Sequence, residues 1–150
     1  MSTTPQQIIV GVDERPQTAK VVAWAAREAV LRRSSILLVH AVGSQVATHL
    51  DIGEDLGTVI NRASADGQRI IDRARAEIRA LAPGLTVEDS VSLSTSATAL
   101  ANVGSVGSMV VVGPRSGRAG STLDGLGVQL DGDLGCHLVG QSPAGWWALR

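Results

Sequence analysis

QQIIVGVD, residues 6–13, is the stretch on which the fold turns. A short apolar run closed by Gly11-Val12-Asp13 reads as a buried strand that ends in a turn. Pro16 and Thr18 then open an Ala-rich segment reaching Arg33. Its Val22, Ala25, Ala26, Ala29 and Val30 share one helical face. SILLVHAV, residues 35–42, is a second buried strand. Strands this uniformly apolar suit a parallel sheet covered by helices.

Downstream the same alternation continues. Residues 43–59 carry mixed charge and read as a long loop, a flap over a site or a disordered connection. Ile60, Ala63, Gly67, Ile70, Ile71, Ala74, Ile78 and Leu81 then keep helical steps of three and four until Pro83-Gly84 stops them. LTVEDSVSL (85–93) alternates as a half-exposed strand, 96–106 reads as a short helix, and SMVVVG (108–113) as a fourth strand. A helix across 122–134 would contain Gly125, Gly127 and Gly132, each costing about 1 kcal/mol relative to Ala. CHLV (136–139) reads as a short fifth strand, and 141–150 as an irregular tail. Residues 1–5 form an N-terminal extension. Strand–helix alternation without a linker argues for one α/β domain over 1–150, with right-handed crossovers.

The 150 residues suffice for one such core without metal or disulfide. Hydrophobic residues make up 44% of the chain with no Phe or Tyr, so Val, Ile, Leu and Ala must fill it. A formal net charge of −1 offers no broad attraction to nucleic acid or anionic membrane. The single cysteine, Cys136, cannot form an internal disulfide, which fits a reducing compartment. With no signal-peptide pattern and no membrane-length apolar stretch, the expectation is a soluble cytoplasmic protein.

In an open parallel sheet, ligands sit outside the carboxyl ends of the strands, where strand order reverses. Two such ends stand out: Gly11-Val12-Asp13, and Gly113 with the glycine-rich run after it. If their strands are neighbours, Asp13 and that run flank one crevice.

IIVGVDERP, AWAAREAVLRRSSILLVHAV and SMVVVGPRSGRAG resemble the universal stress protein family in content, order and spacing, over roughly residues 6–122. The resemblance implies an open five-stranded parallel sheet, order 3-2-1-4-5, with helices on both faces. Such a fold is Rossmann-like, of the adenine nucleotide alpha hydrolase-like kind, and is usually dimeric. One branch of the family binds ATP, with the Asp after strand one near adenine or ribose. Backbone at the end of strand two contacts the base, and a loop Gly-x2-Gly-x9-Gly-(Ser/Thr) holds the phosphates. Carried onto this chain, the site is Gly11, Val12 and Asp13, then Val39 and His40, then Gly113, Arg115, Ser116, Gly117, Gly120, Ser121 and Gly127.

The loop departs from that pattern. Ser116 stands where the second glycine belongs, Gly117 follows one residue late, and Val128 replaces the final hydroxyl residue. Glycines let backbone N–H groups converge on phosphate, so the extra residue re-aims those groups. Ser121 and Thr122 offer hydroxyls in exchange, and Arg115 and Arg118 offer positive charge. Near the end, Cys136 fits the family's cysteine before a long apolar edge strand that pairs across the dimer. Here His137 replaces the following proline, and Gly140-Gln141-Ser142-Pro143 shortens that strand.

Two function classes follow. One is a binding module whose crevice takes an adenine nucleotide (ATP, AMP or cyclic AMP) in a stress-response or regulatory role, as a homodimer. The other is a scaffold of the same fold acting through contacts with a protein partner. Enzymatic readings find little support. No serine stands in a Gly-x-Ser-x-Gly elbow, the P-loop lysine is absent, and Lys20 is the chain's one lysine. His40, His49 and His137 have no metal-site spacing, so no metal is expected from the protein alone. Asp13 has a plainer reading as a helix cap, and Trp24 as cover for the core.

Overall fold

The computed structural model describes residues 7–14, 16–103, 109–112, 137–142 and 145–149. Along the chain run β1 (Ile8–Gly11), α1 (Gln17–Arg32), β2 (Ile36–Ala41), α2 (Gly43–Asp51), α3 (Leu56–Leu81), β3 (Val87–Ser92), α4 (Ser96–Val103), β4 (Met109–Val112), β5 (His137–Ser142) and β6 (Gly145–Leu149). They build one six-stranded sheet in the order β3-β2-β1-β4-β5-β6. β1 to β5 are parallel, and β6 joins β5 antiparallel.

Two apolar layers hold the sheet. Ile8, Val10, Val12, Ile36, Leu38, Met109 and Val111 pack with Val21, Val22, Ala25, Ala26 and Ala29 of α1 and Ile71, Ala74 and Ile78 of α3. The alternate positions Ile9, Val39, Val110 and Val112 pack with Ala99 and Leu100 of α4. The central strands are therefore buried on both faces, which is why they read as unbroken apolar runs. Each fully buried Ile, Leu or Val contributes about 1.5–3 kcal/mol relative to exposure. The chain winds from β1 through β2 to β3 on one side, then crosses to β4 on the other side of β1. Strand order thus reverses between β1 and β4.

The helix boundaries have local causes. α1 ends in a left-handed cap at Arg33 (φ 55°), where Ser34 N–H donates to the Ala29 carbonyl at 2.9 Å. α3 starts at Asp55, whose Oδ2 accepts the Thr58 N–H at 3.0 Å. Trp24 is half-buried against the α1/α3 core, as cover for it.

Three expectations need correction. First, residues 43–59 are not one long loop: α2 occupies 43–51, and α3 begins at Leu56. α2 buries no residue, so no apolar stripe announces it in the sequence. Second, 141–150 is not an irregular tail. β5 runs to Ser142, and Gly145–Leu149 returns beside it as a sixth strand, with Ser142 paired to Gly145. Third, Val30 lies off the buried face at 55% exposure, and Val21 takes a core position instead. A helix over 122–134 lies outside the described residues.

Candidate functional site

The site is built on the tips of β1 and β4. Val10 sits between Leu38 and Val111, and Gly11 pairs with Val39. A Cβ on Gly11 would lie 3.2 Å from Val112 Cγ1 and 3.8 Å from Leu100 Cδ1, so the bare glycine lets the two strands and α4 close together. The tip of β4 at Val112 adjoins the tip of β1 that carries the Asp13 turn; in the sequence Gly113 follows Val112.

Beyond Gly11 the chain is held closely. Val12 N–H donates to the Val39 carbonyl at 2.9 Å. His40 Nδ1 lies 2.8 Å from the Val12 carbonyl oxygen. A carbonyl only accepts, so Nδ1 carries the proton and donates. Thr18 Oγ1 donates to Asp13 Oδ1 at 2.8 Å and accepts the Asp13 N–H at 3.4 Å. The His40 ring lies against Gly67 of α3, where a Cβ would come within 2.8 Å of its Cδ2.

Asp13 borders a cleft of about 210 Å³ together with Glu14, Thr18, Arg73 and Glu77, between the start of α1 and the middle of α3. A wider hollow of about 710 Å³ lies between Ala29–Ser35 and Leu81–Thr86. It opens where β2 and β3 begin, the opposite end of the sheet from the strand tips, so we do not take it as the site. The α2–α3 turn is tied by Glu54, which accepts from Arg62 Nη1 at 3.2 Å and also meets His49 Nδ1. The Arg62 hydrogen bond, joined by the one to His49, holds the Glu54 carboxyl below the usual range. The Thr58 backbone hydrogen bond does the same for Asp55.

Of the residues singled out from the sequence, Gly11, Val12, Asp13, Val39 and His40 converge at the tips of β1 and β2. Gly113, Arg115, Ser116, Gly117, Gly120, Ser121 and Gly127 lie outside the described residues. Thr18 and Gly67 were not legible as parts of the site. Thr18 reads as a helix-start residue, and Gly67 as one more step of an apolar stripe. Among the described residues, no group of three or more His, Cys, Asp or Glu is placed to hold a metal ion. Among the same residues, no helix is long and apolar enough to cross a membrane.

Comparison with known proteins points one way. A universal stress protein of Mycobacterium tuberculosis is 35% identical over 111 residues, covering 71% of this chain and 36% of its own length. A universal stress protein of Mycolicibacterium smegmatis is 32% identical over 128 residues, covering 83% of this chain and 43% of its own. The chain thus spans roughly two fifths of the length of these curated relatives. No family model matches. Among solved structures, a universal stress protein of Archaeoglobus fulgidus superposes with a TM-score of 0.63 at 16% identity, covering 90% of this chain and 92% of that one. A structure of the Archaeoglobus protein in complex with dAMP gives 0.61 at 17% identity, with 90% and 96% coverage. A universal stress protein in complex with cAMP gives 0.54 at 15%, with 92% and 97% coverage.

Proposed function

The chain belongs to the universal stress protein family, and from that premise we propose that the Asp13 turn and the neighbouring strand tips of β1 and β4 bind an adenine nucleotide in a regulatory role. The observation that supports this reading is the adjacency of β1, which carries Asp13, and β4, which the glycine-rich run follows in the sequence. The dAMP and cAMP complexes of proteins with the same fold support it.

In this reading Asp13 accepts a hydrogen bond from a ribose hydroxyl or from the base. Backbone N–H groups of the Gly113–Gly120 stretch, with Arg115 and Ser121, hold phosphate. The protein acts as a binding module, not an enzyme, because the P-loop lysine that phosphoryl transfer commonly uses is absent from the sequence. Dimerisation belongs to the same reading. β6 lies outside β5, so a partner strand at that edge would pair with β6.

Isothermal titration of nucleotide-stripped protein with ATP, AMP and cyclic AMP tests the proposal. Saturable binding that Asp13→Ala weakens supports it, and no uptake into the millimolar range overturns it.

Leu50, Ile52 and Leu56, which are 38%, 72% and 51% exposed around the α2–α3 turn, favour a second reading. There the domain is a scaffold that meets a protein partner through its surface. Wild-type protein that takes up no nucleotide leaves this reading standing.

A further inference from the structure

The carbonyl that receives His40 Nδ1 and the N–H that meets Thr18 Oγ1 belong to one peptide unit, the amide joining Val12 to Asp13. Both polar atoms of that amide are engaged by side chains, one from β2 and one from α1. The Thr18 hydroxyl then turns its own proton to Asp13 Oδ1 at 2.8 Å, closing a ring through the backbone and carboxylate of a single residue. We propose that Thr18 and His40 are positioning residues that clamp this peptide and so fix the direction of the Asp13 carboxylate at the cleft. The inference rests on the nucleotide reading above for its consequence in binding, but not for its geometry.

Each part has a physical reason. A peptide just beyond a strand end loses its ladder partners and can rotate, carrying the next side chain with it. Here Val12 N–H keeps a ladder-like bond to Val39, and the following amide is pinned at both ends. The His40 ring is supported by Gly67, because any side chain there would meet Cδ2 at 2.8 Å. Two segments, β2 and α1, therefore converge on one peptide, with α3 behind the His40 ring, although His40 is 28 residues from Val12.

The clamp also decides what Asp13 offers a ligand. Its amide is already used within the fold, so this turn does not grip phosphate through that N–H. The carboxylate is the recognising group, and it selects a ligand group that donates, a hydroxyl or an amine. Pre-set direction matters because a side chain ordered only on binding subtracts its ordering from the affinity.

A double-mutant cycle on the full chain tests the proposal, with AMP as the probe in isothermal titration. Thr18→Val keeps the shape and removes the hydroxyl; it should weaken AMP by roughly tenfold, whereas Thr18→Ser should stay within about threefold of wild type. In the Asp13→Ala background, Thr18→Val should weaken AMP no further, because Thr18 acts through Asp13. His40→Asn places an amide nitrogen near the position of Nδ1 and should retain affinity that His40→Leu loses.

A second readout needs no nucleotide. By NMR on the unliganded protein, exchange of the Asp13 amide with solvent should quicken in Thr18→Val and stay slow in Thr18→Ser. Additive losses in the cycle, or an Asp13 amide indifferent to Thr18→Val, overturn the clamp. Quickened exchange in a wild-type background that takes up no AMP supports the clamp and sinks the nucleotide reading alone.

Discussion

Adding one methyl group at Gly67 should destabilise the protein, although the same change elsewhere on α3 should stabilise it. In a helix interior, Gly→Ala gains about 1 kcal/mol from propensity. At Gly67 the new Cβ would sit 2.8 Å from His40 Cδ2 and 3.3 Å from Val91 Cγ1. Comfortable carbon–carbon contact needs roughly 3.5–4.0 Å, so the ring must move by more than half an ångström. Overpacking of this kind costs about 1–3 kcal/mol. Displacing the ring from the Val12 carbonyl forfeits a further ~1 kcal/mol. The balance is a net loss of about 2 kcal/mol.

Gly57 is the control. It is exposed in the first turn of the same helix, and a Cβ there meets Asp55 Oδ2 at an ordinary 3.4 Å. Gly57→Ala should therefore stabilise by up to about 1 kcal/mol. Urea unfolding followed by far-UV circular dichroism compares the two, and their midpoints should move in opposite directions. A Gly67→Ala variant stabilised as much as Gly57→Ala would refute the close packing of His40 on α3.

Asp55 caps α3 with a carboxyl held below its usual range by the Thr58 N–H. Because the folded value is depressed, its contribution is present above the ordinary carboxylate range and fades as pH falls through the lowered value. Asp55→Asn keeps a capping oxygen without titrating, so acid should destabilise it less steeply than wild type; parallel acid profiles would contradict this. Arg33 holds a left-handed conformation at φ 55°, and Arg33→Gly should raise stability by about 0.5 kcal/mol after allowing for the looser unfolded chain. A lowered melting temperature would show the Arg side chain to matter more than its backbone. Arg75 and Asp89 link α3 to the edge strand β3 as a partly exposed pair. Their double-mutant coupling should be about 0.2–1 kcal/mol and shrink in high salt, and a larger salt-insensitive value would count against this view.

The sheet was legible because its central strands are buried on both sides. Ile8–Val10, Ile36–Leu38 and Met109–Val112 admit no polar alternation that could disguise them. α3 was legible for a related reason, its stripe Ala63, Gly67, Ile71, Ala74 and Ile78 being buried along its length. α2 was illegible because it buries nothing, and β6 because Gly140 and Pro143 look like terminators when only the sequence is in view. At the site, Asp13 could be found from its place after an apolar strand. How it is held could not, although His40 was singled out as part of the strand-two end. His40 meets Val12 across a parallel strand pair, and Gly67 meets His40 across a helix–sheet interface. Neither relation leaves a local pattern, since both depend on segments brought together only by folding.

One row of residues crosses the sheet from Ile9 through Val110 and Leu138 to Leu149. Because β6 runs against the other strands, Leu149 returns to the level at which β1 sets out. Ile8 and Leu149 therefore lie toward one end of the sheet, and the Asp13 turn toward the other.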